Sequence, residues 1–218
     1  MAAGMAPIGL LGGTFDPVHL GHLRPALEML EQAGLKEVRL LPGRVPPHRP
    51  APRAGATLRT AMVERCVAGV PGLRVDTREL QRDGPSYTLD TLISLRRELG
   101  ASQPLCWIVG MDSFLSLPTW HRWRELGEHA HFLVAHRPGE EPVMSGTLAD
   151  WLEGRRAPAD LLRHRPAGLV HFVDTTALAI SSTGIRRRLA QGRSARFLVP
   201  DTVWELIAGN GVYGYPQV

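Results

Sequence analysis

The stretch Gly12-Gly13-Thr14-Phe15-Asp16-Pro17-Val18-His19-Leu20-Gly21-His22 constrains the fold of this chain more than any other. A short apolar run, Ile8-Gly9-Leu10-Leu11, precedes it, and a helical apolar pattern from Leu23 to Gln32 follows, closed by Gly34. Two glycines and two histidines therefore fall where a first strand turns into a first helix. In an α/β protein that junction is the usual place to hold a phosphate chain, because the helix start offers unpaired N–H groups.

The rest of the chain repeats the alternation. Strands are expected at Glu37–Leu41, Leu73–Asp76, Leu105–Val109, Phe132–Ala135 and Leu169–Val173. Helices are expected at Thr57–Val67, with Leu58, Ala61, Met62 and Val67 inward, at Thr88–Leu99, with Leu89, Leu92, Ile93 and Leu95 inward, and at Ile185–Gln191 and Thr202–Ala208. Pro42–Ala56 reads as a mobile loop, and Arg137–Gly168 as loop with one or two short helices. The expectation is an α/β fold: a Rossmann-like doubly wound, mostly parallel sheet with helices on both faces. It spans residues 1–218 as a single domain, with a small helical part from about 181.

At 218 residues the chain buries a core of its own. No apolar run reaches the roughly 18 residues a membrane span needs. The first residues lack a basic flank, so no signal peptide is expected and the compartment is read as cytoplasmic. Cys66 and Cys106 sit in apolar settings and read as core thiols of a reducing compartment. The net charge is +4, carried almost entirely by arginine, which suits an anionic ligand or reflects compositional bias equally. Clusters such as Arg155-Arg156 alternate with Pro and Gly and lack interleaved aromatics, so neither a nucleic acid nor a membrane surface is expected as partner.

Within the opening motif, Gly12 and Gly13 let a phosphate approach the backbone. Asp16-Pro17 breaks the strand. His19 and His22, three apart, share one helix face, where imidazole donors would stabilise charge on a leaving pyrophosphate. Gly21 leaves room for the ligand. The alternatives are an ordinary glycine turn, or a metal pair, although zinc helices prefer four-residue spacing and need further ligands. No metal ligands are assigned. A second string, Ile180-Ser181-Ser182-Thr183-Gly184-Ile185-Arg186, supplies hydroxyl caps and a helix N-terminus, again suited to an anion. Arg186 is the candidate phosphate ligand, and Arg187 and Arg188, each turned about 100° further round, face solvent.

Together, G-G-T-F-D-P-x-H-x-G-H and I-S-S-T-x-x-R resemble the nucleotidyltransferase α/β-phosphodiesterase superfamily. The segments between them are similar to those of the bacterial nicotinate-nucleotide adenylyltransferases. Pro46-Pro47-His48-Arg49 stands where that family has P-P-H-K, with Arg49 replacing the lysine. Glu79, Arg82 and Pro85-Ser86-Tyr87-Thr88-Leu89-Asp90-Thr91 form a second matching segment. Trp107-Ile108-Val109-Gly110-Met111-Asp112 with Leu117-Pro118-Thr119-Trp120 form a third.

The resemblance implies transfer of the adenylyl group of ATP to nicotinate mononucleotide, with Mg²⁺ accompanying ATP. His19, His22 and Arg186 would be catalytic. Gly12, Gly13, Thr14, Phe15, Gly110, Asp112, Ile180, Ser181, Ser182 and Thr183 would bind ATP. Pro47, His48, Arg49, Ser86, Tyr87, Thr88 and Trp120 would bind the acceptor: amides at Tyr87 and Thr88 on the nicotinate carboxylate, Trp120 stacked on its ring. Other transferases of the superfamily, such as pantetheine-phosphate adenylyltransferase, and a non-catalytic nucleotide-binding module are the rival readings. Association with further copies of the chain is left open.

Overall fold

The computed structural model describes residues 4–44, 51–84, 86–136, 139 and 144–217. Its centre is a six-stranded sheet: β1 (Ile8–Gly13), β2 (Glu37–Pro42), β3 (Leu73–Val75), β4 (Leu105–Gly110), β5 (His131–His136) and β6 (Val170–Asp174). The spatial order is β3-β2-β1-β4-β5-β6, and β1/β4, β4/β5 and β5/β6 pair in parallel. The expected doubly wound fold is therefore present, with its order reversing between β1 and β4. That reversal is the topological switch point at which such sheets bind ligands, outside the carboxyl ends of the strands. β1 ends at Gly13, so the histidine motif leaves the sheet at that point.

The helices are α1 (Leu20–Gln32), α2 (Ala56–Val67), α3 (Thr88–Leu99), α4 (Met111–Leu115), α5 (Leu126–His129), α6 (Gly146–Leu152), α7 (Ser182–Leu189) and α8 (Asp201–Asn210). α3 has the expected limits. Leu89, Leu92 and Leu95 are buried on it as expected, but the fourth buried position is Thr91 rather than Ile93. α2 departs further from its pattern: it buries Arg59, Met62 and Val63, so its inward face is turned from the Leu58/Ala61/Val67 stripe. Arg59, 1% exposed, causes the turn, since its guanidinium finds carbonyl partners inside. α1 begins at Leu20 because the His19 carbonyl already accepts from His22 N at 2.8 Å and Leu23 N at 3.2 Å. The 137–168 stretch holds α6 and a 3₁₀ turn at Ala159–His164, as expected among its described residues.

Two compact units divide the chain. The first comprises Met1–Gly12, Pro25–Arg39 and Tyr87–Thr176. Its core is built on β4 and β5, whose residues Leu105, Cys106, Phe132 and Leu133 are fully buried. Arg96 of α3 laces its loops together, donating to the carbonyls of His129, Gln103 and Pro166. Glu28 of α1 is buried and takes the Thr176 amide at 2.7 Å and hydroxyl at 2.6 Å. The second unit comprises Gly13–Arg24, Leu40–Ser86 and Ala177–Val218. There α8 packs on α2, with Met62, Val63, Val203 and Ile207 buried. Cys66 and Cys106 are free thiols, and burial raises the pKa of both, Cys66 to about 12. Among the described residues no helix is long and apolar enough to cross a membrane.

Candidate active site

The second unit gathers most of the residues singled out in the two motifs. After β1 the chain passes through Phe15, which takes a left-handed φ of 48°, and a cis Asp16–Pro17 bond, then enters α1. The imidazoles of His19 and His22 stack, ring centroids 3.7 Å apart and 29° from parallel, and Phe15 presents an edge to His22 at 5.2 Å. His19 immediately precedes α1 rather than lying on its face, yet the rings still meet. Gly21 explains how: a Cβ there would lie 3.1 Å from the His19 ring and 3.2 Å from the Ile180 carbonyl. The room at Gly21, expected for a ligand, is taken by His19 itself. Two further glycines answer to rings in the same way. A Cβ at Gly13 would sit 2.9 Å from Phe15 Cε1, and, in the first unit, one at Gly12 would sit 2.8 Å from Trp107 Cζ2.

Both histidines are neutral at pH 7. Burial lowers the His19 pKa to about 4; burial and then repulsion from His19 lower that of His22 to about 3. Nδ1 of each ring is buried without a hydrogen-bond partner. Placing each ring's single proton on Nε2 avoids sealing an unpaired N–H inside, so Nε2–H is the donor each ring has to offer.

Arg186 reaches this region from α7. The N-cap of α7 is Ser181, whose Oγ accepts from Gly184 N at 3.1 Å, while Ser182 Oγ donates to the Pro17 carbonyl at 3.0 Å. The cap expected from the Ser-Ser-Thr run is thus made by Ser181, while the Ser182 hydroxyl, which caps nothing, ties α7 to the opening motif. Arg186 Nη1 donates to the Asp16 carbonyl at 2.7 Å and Nη2 to Thr183 Oγ1 at 3.1 Å. Arg187 and Arg188 are exposed, as expected. A cavity of about 320 Å³ lies against Ile180, Ser181 and Gly184, bordered by Arg187, Arg188 and Leu198.

Sequence reasoning missed three residues that build this region. Asp16, read only as a turn former, is 4% exposed and accepts the backbone N–H groups of Arg53 at 2.8 Å and Ala54 at 3.0 Å, and the Tyr213 hydroxyl at 2.9 Å. Arg59 donates to the carbonyls of Thr14, Gly43 at 2.8 Å, Ala54 at 3.2 Å and Arg44 at 3.2 Å, which fixes the segment after β1. An arginine on the apolar side of α2 was the one available signal for that role. Tyr213 had none.

The first unit holds the others. α3 starts at Thr88 after Tyr87, whose side chain makes no cap hydrogen bond to the first turn. Tyr87 packs on His121 at 4.4 Å between ring centroids, and Trp120, which precedes His121, is half-buried after the Leu117–Thr119 turn. Trp123 is buried against Trp151, a core position. Gly110 closes β4 with open space around it, and Asp112 lies exposed in the first turn of α4 without capping it. Ser86, in the second unit, has a buried hydroxyl without a partner. Pro47, His48 and Arg49 lie outside the described residues.

A parallel sheet whose first strand delivers stacked imidazoles to a helix start, with an arginine held beside them, is the frame of a nucleotidyl-transferring α/β protein. The model of the cytidylyltransferase-like family matches residues 10–188. The probable nicotinate-nucleotide adenylyltransferase of Halorhodospira halophila is 54% identical over 213 residues, 97% of each chain. That of Pseudomonas paraeruginosa is 52% identical over 210 residues, 96% of this chain and 98% of its own. The solved structure of Plasmodium falciparum nicotinic acid mononucleotide adenylyltransferase complexed with NaAD shares the fold, with a TM-score of 0.73 at 14% identity over 98% of this chain and 100% of that one. The chain belongs to the cytidylyltransferase-like family and, within it, to the nicotinate-nucleotide adenylyltransferases.

Proposed function

We propose that this chain transfers the adenylyl group of ATP to nicotinate mononucleotide in the cytoplasm, giving deamido-NAD and pyrophosphate. The observation that carries the proposal is the stacked, neutral His19–His22 pair beside an arginine held by backbone. The acceptor's 5′-phosphate is already an anion near neutral pH, so attack on the α-phosphorus needs no general base. What the reaction needs is two repelling anions held in line and the charge on the departing pyrophosphate neutralised. Neutral imidazoles donating from Nε2, together with the Arg186 guanidinium, fit that task. The polyphosphate itself raises both imidazole pKa values as it binds.

Mg²⁺ would enter with ATP as part of the substrate and would supply positive charge to the phosphates. One feature supports that route: the Asp16 carboxylate is already taken by two amides and a phenol. Ile180 to Thr183, with Gly12 to Phe15, Gly110 and Asp112, are proposed to line ATP. The uncapped first turn of α3 suits a carboxylate better than a neutral amide, which favours nicotinate over nicotinamide mononucleotide at Tyr87 and Thr88. Trp120 would stack on the pyridine ring.

A pyrophosphate-release assay tests the reading with ATP and, in turn, nicotinate mononucleotide, nicotinamide mononucleotide and phosphopantetheine. Nicotinate mononucleotide is expected to give the highest kcat/KM. A preference for either of the others refutes the acceptor, and no release with any refutes the reaction.

A further inference from the structure

Asp16 is a buried anion lying within one turn of chain of His19, and the way its charge is met is unusual. Oδ1 accepts from Ala54 N at 3.0 Å and from the Tyr213 hydroxyl at 2.9 Å; Oδ2 accepts from Arg53 N at 2.8 Å. The Arg186 guanidinium is 3.6 Å from Oδ2, outside good hydrogen-bond distance, and gives its Nη1 proton to the Asp16 carbonyl instead. A carboxylate and a guanidinium this close ordinarily close into a short, often bidentate pair. Here three uncharged donors occupy the carboxylate first. The Arg186 side chain keeps 27% of its surface exposed.

One of those donors comes from the far end of the chain. Tyr213 lies 197 residues from Asp16, in the turn Val212–Gly214 after α8. Its φ is 61°, a left-handed conformation unfavourable for a residue with a Cβ, yet its side chain is buried with the hydroxyl on Asp16. Burial, and then the Asp16 charge, push the hydroxyl pKa up, so it stays a proton donor.

We infer that Tyr213 is a positioning residue for adenylyl transfer: by donating to Asp16 it keeps that carboxylate from closing on Arg186, so that the guanidinium is held in place with its charge free for the polyphosphate of ATP. The inference rests on the reading of Arg186 as a polyphosphate ligand. Tyr213→Phe keeps the ring and removes the donor. Oδ1 is then left with one partner, and the unmet demand of the carboxylate draws Arg186 into an ion pair that ATP must break. Asp16→Asn removes the charge that Tyr213 guards, while the Asp16 carbonyl and Thr183 Oγ1 still hold Arg186.

The test is steady-state kinetics in both substrates, with calorimetric MgATP binding, on the wild type, Y213F, D16N, R186A and the double variants Y213F/R186A and D16N/Y213F. Y213F is expected to raise the KM and Kd for ATP about tenfold, while the KM for nicotinate mononucleotide stays within about twofold. R186A should weaken ATP far less in the Y213F background than in the wild type, and D16N/Y213F should recover ATP affinity. The inference is overturned if Y213F leaves ATP affinity unchanged, if both KM values rise together with a lowered Tm, or if Y213F and R186A effects simply add. Should Y213F not fold, D16N alone decides: ATP affinity near wild type supports the inference, and a loss as large as that of R186A overturns it. If R186A itself leaves ATP affinity and turnover at wild-type values, the reading of Arg186 is what fails.

Discussion

The His19–Arg186 region and the Thr88–Trp120 region are built in opposite ways. In the first, the side chains are fixed by packing and hydrogen bonds: the imidazoles stack, Ser182 ties α7 to Pro17, Asp16 is held by three donors, and Arg59 draws in four carbonyls. In the second, what is offered is mostly bare backbone and half-exposed rings: an uncapped helix turn, open space at Gly110, an exposed Asp112, and Trp120 at the end of a short turn. Pre-fixed donors cost no reorganisation when charge develops, so they belong to the chemical step. Exposed rings and helix amides give binding energy to whichever acceptor matches them. Substitutions in the first region should therefore act on kcat or on ATP, and those at Tyr87, Thr88 and Trp120 in the second on the acceptor KM.

The sharpest way to break this contrast is His22→Ala. Turnover is expected to fall by about a thousandfold, with the acceptor KM within a few-fold of wild type and an unchanged circular dichroism spectrum. Near-normal turnover would mean that the stacked pair takes no part in the chemistry, and the contrast would collapse to one of packing.

How legible each region was follows from the range of its interactions. The limits of α3 could be read to the residue because its apolar stripe and its stop at Gly100 are local signals. The histidine motif announced itself because its residue types are rare in that combination. The supports of that motif were hidden. Arg59 turns the inward face of α2 because it answers carbonyls at Thr14 and Gly43, partners that periodicity cannot foresee. Asp16 carries the signal of a turn, which it makes, and none of the hydrogen bond it receives from Tyr213. Gly21 shows the limit of motif logic: the missing side chain was rightly seen as room, but the room belongs to the His19 ring. The strand order, too, required coordinates, since alternation led to the doubly wound parallel sheet but not to the order in which its strands lie.

A smaller effect is expected at Trp120. Trp120→Ala should raise the KM for nicotinate mononucleotide about tenfold through lost stacking, while kcat changes by less than about threefold and the KM for ATP stays put. Trp123 is the control: it is buried against Trp151, so its removal should lower Tm instead. A Trp120 variant that behaves like the Trp123 one would move Trp120 into the core and leave the acceptor ring without its platform.

The smallest effect is on stability against pH, and it reads the first region without any substrate. In the unfolded chain both histidines titrate near 6.5, whereas burial lowers them to about 4 and about 3 in the folded one. Above pH 6.5 neither state binds these protons, so the pair leaves stability independent of pH there. Below it the unfolded chain takes them up first, and stability falls as the pH drops, by about 1.4 kcal/mol per pH unit for each ring in the window between 6.5 and the folded pKa. Chemical denaturation at pH 7.5, 6 and 5 should show that decline, and a His19→Asn/His22→Asn variant should show a shallower one. Ring-proton resonances of the free protein should stay at their neutral positions for His19 and His22 down to pH 5. A midpoint near 6.5 for either ring would mean that it sits in water, and the buried, pre-fixed pair that separates this region from the acceptor segments would not exist in solution.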